Sequence, residues 1–260
     1  MKILLIGCGK MGSAMLNGWL KSGVKAGDIA VVDPFAKLGK KIAVYKSLAK
    51  LSKTYVPDVI ILAVKPQNLN EVLPELARFN KALVVSIIAG KTIAYIEKHL
   101  KSSVIIRTMP NLPAVIGKGV IGAVANKVLS AKNKALVVKL LKPCGKLVWF
   151  KDEKLINTVT AISGSGPAYV FLFAQGLVEA GVALGLDEKT AKLLALETIK
   201  GSVLLAENAS ESLEQLKINV TSKGGTTEAA LKVLEQKNAL KTLIKQAATQ
   251  AKQRALELSE

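Results

Sequence analysis

The chain has 260 residues, 50% of them hydrophobic and only 4% aromatic, so it can bury one large core or two ordinary ones built from Ala, Val, Ile and Leu; a disordered tail and a disulfide-stapled miniprotein are excluded. The formal net charge is +18, yet Arg78, Arg107 and Arg254 are the only arginines among 37 cationic side chains, and the lysines are spread along the whole chain. Nucleic-acid readers rely on arginine forks and stacking aromatics, so the charge reads as a solvated lysine surface that attracts small anions, with no nucleic-acid partner.

Up to about residue 150, short β-rich runs alternate with helical stretches. Strands are predicted at 2–6, 29–33, 58–64, 82–88, 103–108, 119–125 and 146–150. The runs at 58–64 and 82–88 are apolar on both faces, the pattern of a parallel sheet covered on both sides. Strands alternating with helices predict an α/β fold, a Rossmann-like doubly wound, mostly parallel sheet over residues 1–152. From 153 to 260 the strand signals stop. Helices are predicted at 167–184, 187–208 and 238–258, with Asp187 capping one helix and Ser210 another, the latter with Glu211 and Glu214 in its first turn. So many apolar positions in so short an all-helical domain predict a bundle shared between subunits. No apolar stretch approaches the roughly 20 residues a membrane helix needs, and the run before Cys8 is too short for a signal peptide, so no membrane partner is expected. Cys8, Cys144 and His99 are too few for a disulfide framework or a zinc site; a reducing, cytoplasmic setting and no metal follow.

Gly7, Cys8, Gly9, Lys10, Met11 and Gly12 spell G-x-G-x-x-G directly after the first strand and open a helix through Trp19–Lys21. Asp33 ends the next strand, 21 residues after Gly12. This is the context a dinucleotide fingerprint requires. Gly7 allows the tight turn, Gly9 lets the backbone approach a pyrophosphate, and Gly12 lets helix and strand pack closely. The helix N-terminus then offers unpaired N–H groups to the phosphates. Asp33 bears on coenzyme choice: a carboxylate accepts from a ribose 2′-OH and repels a 2′-phosphate, which favours NADH over NADPH. Lys37, Lys40 and Lys41 follow and offer the opposite, a clamp for that phosphate. Ala63, Val64, Lys65 and Pro66 follow the 58–64 strand, Ala89 and Gly90 the 82–88 strand, and Met109, Pro110 and Asn111 the 103–108 strand. These loops are positioned to line the nicotinamide and ribose, or are plain turns.

His99 reads as an exposed residue near a helix C-terminus. The chain holds no Gly-x-Ser-x-Gly elbow, no H-E-x-x-H and no pair of carboxylates sharing a face, so nucleophilic, metal and glycosidic mechanisms lack parts. A reaction whose hard step belongs to a coenzyme remains: hydride transfer to an already activated substrate such as an iminium. Two glycine-rich islands interrupt the helical half. One is Ser163-Gly164-Ser165-Gly166-Pro167-Ala168-Tyr169. The other runs from Asn219 to Leu231 through Thr221-Ser222-Lys223-Gly224-Gly225-Thr226-Thr227. The second suits a carboxylate held by backbone N–H groups, or is a helix start capped by Thr226.

Together these residues resemble pyrroline-5-carboxylate reductase over nearly the whole chain. The landmarks come in family order: the Gly7–Gly12 fingerprint, Ala63-Val64-Lys65-Pro66, Ala89-Gly90, Arg107-Thr108-Met109-Pro110-Asn111, and the islands starting at Ser163 and Thr221. The resemblance implies NAD(P)H-dependent reduction of the C=N bond of 1-pyrroline-5-carboxylate to L-proline. It also implies helical domains interlocked into homodimers, often assembled into decamers, with the glycine–threonine loop of one subunit completing the site of the other. Carried over by position, Gly224, Gly225 and Thr226 hold the substrate carboxylate, Val220 and Ser222 shape the pocket, Thr227 contacts the ring nitrogen, and Asn219 lies close to the coenzyme. Lys223 stands where the family commonly has proline, which predicts a less rigid loop, and Asp33 where NADPH-preferring members often carry Ser or Thr. The nearest rival readings are a related imine or β-hydroxyacid reductase and a non-catalytic nucleotide- or nucleic-acid-binding protein.

Overall fold

The computed structural model describes residues 1–39, 41–100 and 104–259; Lys40, and Ser103 at the head of one predicted strand, lie outside them. The chain divides into two compact units, Met1–Ser165 together with Ala251–Glu260, and Gly166–Gln250.

The first unit is built on eight strands: β1 (Ile3–Ile6), β2 (Ile29–Val32), β3 (Ala43–Tyr45), β4 (Val59–Leu62), β5 (Leu83–Ser86), β6 (Val104–Pro110), β7 (Gly119–Ala125) and β8 (Gly145–Trp149). Their order in the sheet is β3-β2-β1-β4-β5-β6-β7-β8. Every neighbouring pair is parallel except β6 with β7. In β1, β2, β4 and β5 every residue is buried. Alternate side chains feed opposite faces. Leu4, Ile6, Ile60, Leu62 and Val84 join Leu69, Leu73 and Leu76 of α2 (Leu69–Leu76) in one core. Ile3, Leu5, Ile61 and Val85 join Met15, Leu16 and Trp19 of α1 (Lys10–Lys21) in the other. Trp19 also donates from Nε1 to Leu140 O at 2.7 Å, anchoring α1 to α4 (Ala131–Leu141). The short edge strand β3 was not predicted; its three residues are exposed or half-buried, so no apolar run announces it.

Between α2 and α4 lies α3 (Ile93–Glu97), with Thr92 as its cap: Thr92 Oγ1 accepts from Tyr95 N at 3.2 Å. His99 follows α3 and corrects the expectation of an exposed residue. It is half-buried beside Ile96 and Leu100, and its Nδ1 is buried with no hydrogen-bond partner among the described residues. Segment α5 (Leu155–Val159) carries buried Ile156 and Asn157 and belongs to this unit, although it falls beyond residue 152.

A π-helical turn at Thr160–Gly164, closed by Ser165 N donating to Thr160 O at 2.8 Å, joins α5 to α6 (Gly166–Ala183). Pro167 has no N–H for the ladder and its ring crowds the preceding turn; the wider turn relieves this. The helical run therefore continues across the glycine–proline island. Leu155–Ala183 is long and apolar enough to cross a membrane, at mean hydropathy 1.2, which corrects the expectation that no stretch approaches that length.

The second unit holds α6, α7 (Glu188–Asn208), α8 (Leu213–Asn219), α9 (Thr226–Leu234) and most of α10 (Ala239–Glu257). Asp187 caps α7 as predicted, its Oδ1 accepting from Thr190 N at 3.0 Å. The cap of α8 is Ser212, not Ser210: Ser212 Oγ accepts from Gln215 N at 3.1 Å. Ser212-Leu213-Glu214-Gln215 is an S-x-x-Q capping frame, a pattern that Ser210 lacks. Helices α6 and α7 pack as a hairpin whose buried residues are Ala174, Ala191 and Ala195. Phe171, Leu172, Leu193 and Leu205 are 58–70% exposed. Large apolar side chains left this exposed are characteristic of surfaces that bind a partner.

Candidate active site

In an open parallel sheet, ligands lie beyond the carboxyl ends of the strands where the winding reverses. That point here is between β1 and β4, which pair Ile6 with Leu62. The chain leaves β1 at Gly7 and leaves β4 at Ala63. Gly7 has φ +89°, and a Cβ on it would lie 2.6 Å from Ala63 O, so only glycine fits. A Cβ on Gly12 would lie 2.4 Å from Gly7 O, which is how α1 settles against the corner. Gly9 is the opposite case: nothing lies within 4 Å of its Cβ position. Gly9 is also the N-cap of α1, whose first internal bond runs from Ser13 N to Gly9 O at 2.9 Å. The amides of Lys10, Met11 and Gly12 precede that bond and stand at the positive end of the helix. A tight corner, an open approach at Gly9 and free first-turn amides fit a dinucleotide pyrophosphate.

Asp33 is fixed at the rim of this corner. Its Oδ2 accepts from Cys8 N at 2.7 Å, and its Oδ1 from Phe35 N at 2.8 Å and Ala36 N at 2.9 Å. It both closes the turn after β2 and ties that turn to the glycine loop. Oδ2 keeps a second lone pair for an outside donor. The Cys8 thiol beside it is pushed above its ordinary pKa by burial first and by the Asp33 charge second, so it is no activated nucleophile.

The other predicted loops of this unit also sit at strand ends. Ala63 and Val64 are half-buried, Lys65 and Pro66 exposed. Ala89 is exposed and Gly90 buried. Gly90 has φ +74°, and a Cβ there would lie 2.5 Å from Leu258 O; Leu258 packs directly on it. Asn111 Oδ1 accepts from Val120 N at 2.9 Å, a turn-closing contact. Sequence reasoning gave no task to Glu153, which pairs with buried Arg107. The signal was a single arginine among the apolar residues of β6.

In the second unit α8 ends at Asn219, whose Oδ1 accepts from Gln215 Nε2 at 2.8 Å. Val220, Ser222 and Lys223 are exposed. Gly224 takes φ +72°, its N–H donating to Glu228 Oε2 at 2.8 Å, and Gly225 N–H donates to Ser222 O at 3.0 Å. The N-cap of α9 is Gly225, not Thr226; Thr226 and Thr227 occupy the first two helical positions. Two of the three amides expected to take a carboxylate are therefore paired internally. The first-turn amides of Thr226 and Thr227 precede the first helical bond, Ala229 N to Gly225 O at 3.2 Å, and stand at the positive helix end.

A glycine corner at the switch point of a doubly wound sheet, followed by a helical unit with an unburied apolar surface, defines a nicotinamide-dinucleotide oxidoreductase with a dimerisation domain. Residues 2–90 match the family model described as NADP oxidoreductase coenzyme F420-dependent, and residues 153–258 the model for pyrroline-5-carboxylate reductase dimerisation. Pyrroline-5-carboxylate reductase of Pseudomonas aeruginosa is 39% identical across 100% of this chain and 97% of its own. A Plasmodium falciparum pyrroline carboxylate reductase solved with NADP bound superposes with TM-score 0.89 at 32% identity, covering 100% of this chain and 98% of that one. The Coxiella burnetii enzyme gives TM-score 0.89 at 36% identity over the same shares. The chain belongs to the pyrroline-5-carboxylate reductase family.

Substituting Gly12→Ala forces a methyl group against the Gly7 carbonyl. Affinity for NADH, followed by fluorescence titration, is expected to fall about tenfold or more as the corner opens; an unchanged affinity contradicts the packing argument.

Proposed function

We propose that this chain reduces the C=N bond of 1-pyrroline-5-carboxylate to L-proline, the last step of proline biosynthesis, using a reduced nicotinamide dinucleotide. The observation that carries this reading is the full-length match to relatives bearing that name. A reduced nicotinamide supplies the hydride when bound. Gly7, Gly9, Lys10, Met11 and Gly12 hold the pyrophosphate, and Asp33 meets the adenosine ribose. Ala63, Val64, Lys65, Pro66, Ala89, Gly90 and Asn219 line the rest of the coenzyme.

On the substrate side, the Gly224–Gly225–Thr226 loop holds the carboxylate. Because the Gly224 and Gly225 amides are internally paired, the first-turn amides of α9 carry most of that task. Val220 and Ser222 bound the pocket, and the Thr227 hydroxyl orients the ring nitrogen. Anchoring the carboxylate at the positive end of α9 fixes the direction of the C=N bond; positioning, more than acid–base power, lowers the barrier. The unburied leucines and phenylalanines of α6 and α7 pair with a second copy of the chain, and dimers assemble further into decamers. The same pairing accounts for the apolar Leu155–Ala183 run without a membrane. Two free thiols, Cys8 and Cys144, fit the cytoplasm.

NADH is favoured over NADPH. The Asp33 carboxylate is held rigidly by three backbone amides, keeps a lone pair for a ribose hydroxyl, and repels a 2′-phosphate.

Purified protein given 1-pyrroline-5-carboxylate is expected to oxidise NADH, and NADPH less efficiently; oxidation of neither coenzyme overturns the reading. Replacing Asp33→Ser is expected to raise the NADPH-to-NADH ratio of kcat/KM by about tenfold, the effect of removing one repulsive charge of roughly 1.4 kcal/mol. Thr227→Ala is expected to lower kcat at least about tenfold with coenzyme affinity nearly intact; equal turnover removes Thr227 from the mechanism.

A further inference from the structure

Strand β6 is an interior strand, between β5 and β7, and Arg107 within it is 3% exposed. A guanidinium so placed must be paired, because desolvating a lone charge is prohibitive. Arg107 Nη1 donates to Glu153 Oε1 at 2.8 Å, and Nη2 reaches Asn157 Oδ1 at 3.3 Å. The same Glu153 oxygen accepts from Ile93 N–H at 2.8 Å. Ile93 is the first residue of α3, three positions after Gly90. One carboxylate oxygen thus joins a buried cation of the sheet to the first turn after a loop assigned to the coenzyme. On its other side, Gly90 is pressed by Leu258.

We infer that the Arg107–Glu153 pair is a positioning device for the nicotinamide half of the coenzyme. Arg107 holds the Glu153 carboxylate, Glu153 fixes the start of α3, and the Ala89–Gly90 loop inherits its place from that fixed start. A carboxylate suits the task better than a neutral acceptor: bonds to an ionised partner are shorter and roughly twice as strong, and one oxygen here serves two donors. The inference rests on the reading that Ala89 and Gly90 line the coenzyme.

Two probes separate the halves of the site: NADH, and ADP-ribose, which lacks the nicotinamide. Their dissociation constants are measured by calorimetry for the parent, Glu153→Gln, Glu153→Ala and Gly90→Ala. Glu153→Ala is expected to weaken NADH about tenfold while ADP-ribose stays within about twofold. Glu153→Gln, which keeps the acceptor and loses the charge, is expected to recover only part of that loss and, being the milder change, keeps the test open should the alanine variant misfold. NADH and ADP-ribose weakening in parallel would show a general structural role and overturn the inference. So would NADH affinity indifferent to both Glu153 variants. In that last case Gly90→Ala assigns the failure: weakened NADH leaves the loop assignment standing and removes only the positioning role, whereas unchanged NADH removes the loop assignment as well.

Discussion

The contact between Gly7 and Ala63 is the constraint from which the rest of the first unit follows. Two parallel strands leave the sheet side by side, and their exit turns must pass within backbone contact. A methyl group on Gly7 would sit 2.6 Å from the Ala63 carbonyl, so the chain has no side chain there. The closeness of the two turns brings α1 down on the corner, which in turn demands Gly12, whose Cβ position lies 2.4 Å from Gly7 O. Gly9 alone of the three faces open space, and it opens at the helix end where an anion is stabilised by amides and dipole together. Asp33 then locks the neighbouring turn to the loop through Cys8 N–H. The packing that closes the corner is the same arrangement that leaves a helix end open beside it.

The glycine–threonine loop of the second unit reaches order by another route. Lys223 occupies a position where proline would restrict the backbone, and on that ground a looser loop was expected. Two internal ties do the restricting instead: Gly225 N–H closes onto Ser222 O, and the Glu228 carboxylate reaches back to Gly224 N–H while lying 3.7 Å from Lys232 Nζ. Those ties use up amides that a glycine-rich loop would otherwise present outward, and leave the first-turn amides of α9 as the ones outside the helix ladder.

What was legible in the sequence was whatever a short window carries. Unbroken apolar runs such as Val59–Leu62 reveal buried strands because a two-sided sheet leaves no polar face, and the glycine spacing reveals the corner because sterics permit nothing else. Strand β3 was invisible, since three half-wet residues borrow their conformation from pairing with β2. Helix caps were misplaced by one or two residues at Ser212 and Gly225, where adjacent residues compete for the cap and local geometry decides. The tie between Arg107 and Glu153 spans 46 residues, and no window short enough to read reveals it. His99 was expected to be wet because it stands near a helix C-terminus, yet it lies half-buried between the buried Ile96 and Leu100 in sequence.

The bare hydrocarbon of α6 and α7 carries a consequence for how this molecule endures heat. A helical hairpin whose only buried side chains are alanines has almost no hydrophobic stabilisation of its own, and the missing part arrives with the second chain. Where a second chain is seated on it, unfolding of this hairpin and dissociation are coupled. The melting point of such a protein is not a constant of the polypeptide: it climbs with protein concentration, and dilution acts as a denaturant.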